Sequence, residues 1–99
     1  MASRFVLRPL AEQDIADIWT HSADRWGIAQ ADKYFDGMME LFDLLSAQPE
    51  IARLRQEFKP PVRLYIYGSH IAIFETIDGG ISIIRVLHQR QDILRVLAE

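Results

Sequence analysis

The chain has 99 residues, no cysteine, a formal net charge of −3, and a composition that is 49% hydrophobic and 25% charged. These values describe one ordinary globular domain over residues 1–99, long enough to bury roughly two-thirds of its unfolded surface. They exclude a disulfide framework and any thiolate metal site; the acidic balance also argues against nucleic acid as the main partner, because phosphate neutralisation usually requires a basic surface.

The N-terminal segment holds only three consecutive apolar residues, Phe5-Val6-Leu7. A signal peptide needs about 7–15 and a membrane span about 20, so the expected compartment is the cytoplasm, with no membrane partner. Acidic residues dominate the first half, from Glu12 to Glu50. Arginines dominate the second, from Arg53 to Arg95. This polarity predicts two electrically distinct faces.

Residues 4 to 8 are β-prone and stop at Pro9, which suits the first turn of a helix because its missing N–H has no helical partner there anyway. Ala11, Ile15, Ile18, Trp19, Ser22 and Trp26 then recur at helical spacing. Glu12 and Asp14 sit where the helix dipole favours anions, and Gly27 is expected to end the helix as a left-handed cap. A second stripe, Ala31, Tyr34, Phe35, Met38, Met39, Leu41, Phe42 and Leu45, stops before Gln48-Pro49. The two helices should pack as an antiparallel hairpin.

Residues 46 to 61 read as a polar connector with at most one helical turn near Ile51 to Leu54. Val62 to Tyr67, His70 to Ile77 and Ile81 to Leu87 then read as a three-stranded meander, turning at Gly68-Ser69 and at Asp78-Gly79-Gly80. Gln91 to Glu99 carries Ile93, Leu94 and Leu97 and reads as a short helix or an ordered tail. The order is β-αα-βββ: an α+β fold with the helical hairpin on one face of a mainly antiparallel sheet.

Several side chains carry candidate chemistry. Arg85, His88 and Arg90 leave the last strand together. Histidine titrates near neutrality and arginine suits phosphate, so a catalytic edge, a binding edge and a solvated strand end are all consistent with this tail. The lysines, Lys33 and Lys59, lie outside it. Arg63, Tyr65 and Tyr67 share one face of their strand, and Val62, Leu64 and Ile66 the other. If the aliphatic face packs on the helices, the Arg-Tyr-Tyr face is left for solvent or for a partner, since arginine and aromatic residues anchor interfaces. Trp19 and Trp26 either fill the core against the second helix or rim a groove. His21, His70 and His88 lack the i, i+4 spacing of a helical metal site; no cofactor, no metal and no catalytic residue are expected.

Specific segments carry a family likeness. They are Ala11 to Trp19, Asp24-Arg25-Trp26-Gly27-Ile28-Ala29-Gln30-Ala31, Tyr34, Gln48-Pro49, Gly68-Ser69-His70 and Ile83-Ile84-Arg85-Val86-Leu87-His88-Gln89-Arg90. In this order and spacing, over nearly the whole chain, the sequence resembles the ParE branch of the RelE/ParE toxin superfamily. The resemblance implies the toxin of a bacterial type II toxin–antitoxin pair. Such a toxin acts on DNA gyrase rather than on mRNA and is neutralised by direct binding of a ParD-like antitoxin, which carries the DNA-binding module. Trp19, Trp26, Arg63, Tyr65, Tyr67, Arg85, His88 and Arg90 are the partner-binding candidates. Relatives commonly carry Tyr-Arg where this chain has Glu75-Thr76. A RelE-like ribosome-dependent mRNA interferase and a non-toxic antitoxin-binding module are the alternatives.

Overall fold

A computed structural model describes residues 4–98. The elements run β1 (Arg4–Leu7), α1 (Pro9–Trp26), α2 (Ile28–Ala47), a single 3-10 turn at Pro49–Ile51, β2 (Arg53–Arg55), β3 (Val62–Tyr67), β4 (His70–Ile77), β5 (Gly80–His88) and α3 (Ile93–Ala98). The α+β order follows the sequence pattern. The strand at Arg53–Arg55 does not: its three residues carry too short an apolar alternation to announce it, and pairing with β3 creates it.

The five strands lie in the order β1-β5-β4-β3-β2. The expected meander β3-β4-β5 is antiparallel, β2 extends it on one side, and β1 runs parallel to β5 on the other.

The helical hairpin reverses through one residue. Gly27 donates its N–H to the Ala23 carbonyl and accepts from Ala31 N–H. Its φ of 93° and ψ of 162° correct the expected left-handed helical cap: the backbone is extended at positive φ, a conformation open mainly to glycine. α2 starts at the next residue as a result.

The sheet is buried on both faces. On the hairpin side, Ala11, Ile15, Met38, Phe42 and Leu45 pack against Ala72, Phe74, Ile81, Ile83 and Val86. Phe5 meets Phe42 edge-on with ring centroids 5.4 Å apart. On the opposite side, Phe58, Val62, Ile73 and Leu87 form a second cluster, closed by Ile93, Val96 and Leu97 from the C-terminal segment. Each fully buried aliphatic or aromatic side chain contributes about 1.5–3 kcal/mol.

This two-sided burial corrects the expected facing of β3. Tyr65 and Tyr67 pack with the hairpin-side core, and Val62 and Leu64 face the second cluster. The Tyr67 hydroxyl reaches a backbone acceptor, the Tyr34 carbonyl, while α3 and Phe58 supply the cover that the aliphatic face requires. Trp26 departs from its stripe as well. It is 60% exposed, because α1 has run past the end of the sheet at that point.

One irregularity shapes the site. Phe74 pairs with Ile83, but Ile73 pairs with Arg85, so Ile84 is the extra residue of a β-bulge. Ile81 and Ile83 face the hairpin before it, Val86 after it. The Asp14 carboxylate of α1 fastens the spot. It accepts from Arg85 Nε at 2.7 Å, from an Arg85 terminal nitrogen at 2.9 Å and from Val86 N–H at 2.9 Å. A bulge disrupts the ladder locally and leaves backbone groups in need of other partners; Asp14 supplies one.

Candidate functional site

The bulge moves β5 by one residue relative to β4, and this sets His88 directly opposite His70. Their rings meet edge-on, with centroids 5.5 Å apart. Both line a groove of about 890 Å³ between the end of α1, the start of α2 and the adjacent ends of β4 and β5. α1 contributes Asp17, His21, Arg25 and Trp26 to its walls, and Arg90 enters just after β5. All of the chain's histidines therefore reach one surface, although they are far apart in sequence.

The strand ends are held firmly. Tyr34 Oη donates to the Tyr67 carbonyl at 3.0 Å, accepts from Ser69 N–H at 3.3 Å and lies 2.8 Å from His70 Nδ1. A hydroxyl has one proton, and a carbonyl can only accept. With that proton on Tyr67 O, His70 donates from Nδ1–H, and its Nε2 carries the lone pair. His88 is the complement: its Nδ1 accepts Arg90 N–H at 3.1 Å, so the neutral ring carries its proton on Nε2. Gln89 ties β5 to the β3–β4 turn, donating N–H to Ser69 O at 3.0 Å and Nε2 to Gly68 O at 2.6 Å.

Burial pushes the His70 imidazole below its ordinary value, and the neighbouring His88 and His21 push in the same direction. Burial raises the Tyr34 phenol. Among the described residues, no group of three His, Asp or Glu side chains is arranged to hold a metal ion.

The sequence candidates divide by location. Trp26, His88 and Arg90 line the groove. Trp19 lies on the other side of the hairpin, in a trough of about 490 Å³ beside β1 that Leu7, Ile15 and Phe35 also line; its indole N–H donates to Asp32 at 2.8 Å. Arg85 is held by Asp14, with 22% and 14% of the two side chains exposed. Arg63 donates to the Ala52 carbonyl at 2.8 Å. Glu75, at the departure from the family pattern, is ion-paired with Arg8, whose Nε donates to Ser82 Oγ at 3.0 Å. The acidic substitution is thus compensated locally.

Sequence reasoning missed Asp14, His21, Arg25 and His70 as parts of this architecture. One signal was available. The hairpin-facing residues of the last strand step from Ile81 and Ile83 to Val86, three residues instead of two, which marks a bulge and, with it, the pairing of His70 with His88.

A helical hairpin on one face of a mixed sheet, with an imidazole and arginine groove at the strand ends, defines a small α+β protein of one recurring fold. The same fold occurs in the chromosomal ParDE TA system from P. aeruginosa, with a TM-score of 0.72 at 20% identity over 88% of this chain and 96% of that one. The sequence model of the ParE toxin of type II toxin-antitoxin system, parDE, matches residues 5–93. The chain belongs to this family of ParE toxins. It is 39% identical to Toxin ParE1 of Mycobacterium tuberculosis strains CDC 1551 / Oshkosh and H37Rv, over 98% of this chain and 100% of theirs. To Toxin ParE1 of Caulobacter vibrioides it is 33% identical, over 80% of this chain and 81% of that protein.

Proposed function

We propose that the chain acts by binding: it inhibits DNA gyrase without catalysing a reaction of its own and is silenced by direct complex formation with a ParD-like antitoxin. The observation that carries the non-catalytic reading is the Asp14–Arg85 pair. Phosphodiester cleavage needs a cation aimed at developing phosphate charge. Arg85, the arginine nearest to that role in the sequence, is bound through two nitrogens to a carboxylate that also holds the Val86 backbone.

The gyrase target and the antitoxin rest on family membership. The trough beside β1 supports an antitoxin seat. It is lined by Leu7, Ile15, Trp19 and Phe35, and β1 is an edge strand with one side open to strand addition among the described residues.

Purified gyrase and supercoiled DNA test the target. The expected result is loss of supercoiling with accumulation of cleaved DNA complexes, reversed by the antitoxin. If neither effect appears with the free protein, gyrase is not the target. The imidazole pair His70 and His88 is what favours the second reading, a ribosome-dependent mRNA interferase. Codon-linked cuts in a toeprinting assay, lost in His88→Ala, would establish that reading instead.

A further inference from the structure

We propose that the groove at the strand ends binds a small aromatic phosphomonoester of the nucleoside monophosphate class, with its phosphate beside His88 and Arg90 and its ring against Trp26. This goes beyond the gyrase reading and does not depend on it.

The volume of about 890 Å³ falls in the range of small-molecule sites, about 300–1,000 Å³. The charge of the groove runs against that of the protein. The chain carries −3 overall, yet Arg25 and Arg90 outnumber Asp17 on these walls, and the imidazoles stand among them. Clefts lined by one sign of charge concentrate the opposite sign.

The His88 tautomer selects an anion over a cation. With its Nδ1 engaged by Arg90 N–H, neutral His88 offers an Nε2–H donor. A metal ion would need a lone pair at that atom. His70, with its Nδ1–H directed to Tyr34, presents an Nε2 lone pair, an acceptor for a ribose hydroxyl. Both rings are fixed before any ligand arrives, His70 by Tyr34 and His88 by the turn through Arg90, so little ordering entropy is lost on binding.

Trp26 accounts for the aromatic part. It is 60% exposed at the groove wall, and the Arg25 guanidinium lies 5.2 Å from its ring centroid. One ring face is thereby backed by a cation, which fixes the indole as a platform for a base. Such stacking is tolerant of base identity.

Isothermal titration calorimetry of the purified chain with AMP, inorganic phosphate and adenosine at one neutral pH tests this. AMP is expected to bind one-to-one, more tightly than phosphate and far more tightly than adenosine. Arg90→Gln is expected to weaken both AMP and phosphate by about tenfold. Trp26→Ala is expected to weaken AMP by about tenfold and leave phosphate unchanged. Both positions are exposed, and circular dichroism checks that the variants fold. Absence of saturable AMP binding, adenosine binding as tightly as AMP, or unchanged affinity in both variants overturns the proposal. Gyrase inhibition is read in a separate assay, and its presence or absence does not alter this outcome.

Discussion

Tyr34 and Tyr67 each donate a hydroxyl hydrogen bond to the other's backbone carbonyl, at 3.0 and 3.1 Å. The rings lie 4.9 Å apart, and the pair clasps the middle of α2 to the end of β3. The approach is possible because residue 37 is glycine: a Cβ there would stand 2.1 Å from Tyr67 Oη. Glycine within a helix normally costs roughly 0.5–1 kcal/mol relative to alanine, so alanine would ordinarily stabilise. Here the sign should reverse. Gly37→Ala is expected to lower stability by about 1 kcal/mol, because the clasp must open. In a Tyr67→Phe background the same change should cost much less, a non-additivity that urea unfolding of the double-mutant cycle measures.

Asp14 is expected to matter more for stability than any exposed acid of α1. Asp14→Ala leaves the half-buried Arg85 guanidinium and the Val86 N–H without this acceptor. The expected loss is about 2 kcal/mol, below the figure for a fully buried pair because part of each side chain meets solvent. Arg85→Met in the same background should recover some of it. Denaturant midpoints of the three variants decide whether the pair acts as a unit.

His70 should make the fold acid-sensitive. Burial holds its folded pKa below the ordinary value, so between that lowered value and about 6.5 the unfolded chain binds the proton more readily than the folded one. Its contribution is therefore fully present above that upper limit and is lost as pH falls toward the native value. Urea midpoints should drop as pH falls below about 6.5, and His70→Asn should flatten that drop.

The C-terminal segment is expected to be structural. Ile93, Val96 and Leu97 cover the second cluster. Removing residues 92–99 exposes Ile73, Leu87 and Val62, with an expected loss of roughly 3 kcal/mol. Toxicity and antitoxin binding should then fall together, measured by growth after induction and by complex formation. A truncated chain that binds antitoxin normally but has lost toxicity would instead assign the segment to target contact.

The elements were largely legible in the sequence, because helical stripes such as Ala31 to Leu45 and the alternation of Val62 to Tyr67 are long enough to show their period. The facing of β3 was not. Alternation says which residues share a side but not which side is covered, and the cover for Val62 and Leu64 comes from Phe58 and from a C-terminal tail whose short apolar stripe does not say where it docks. The strand at Arg53–Arg55 has no local signature and exists through its partner. Trp19, Trp26, His88 and Arg90 were singled out from the sequence, but their separation onto two surfaces depends on where α1 outruns the sheet. His21 joins His70 and His88 only through the packing of α1 over the strand ends, and no spacing along the chain encodes that.

Among the described residues β1 pairs with no strand except β5, with Arg4 beside Gly80 and Leu7 beside Ile83. During synthesis the first strand to emerge is thus the last to find a neighbour, since the chain leaves the ribosome N-terminus first. The trough needs Leu7 seated on the finished sheet, and the groove needs His88. Neither surface exists on a nascent chain that stops before β5. The trough and the groove therefore come into being together, once β5 has been made.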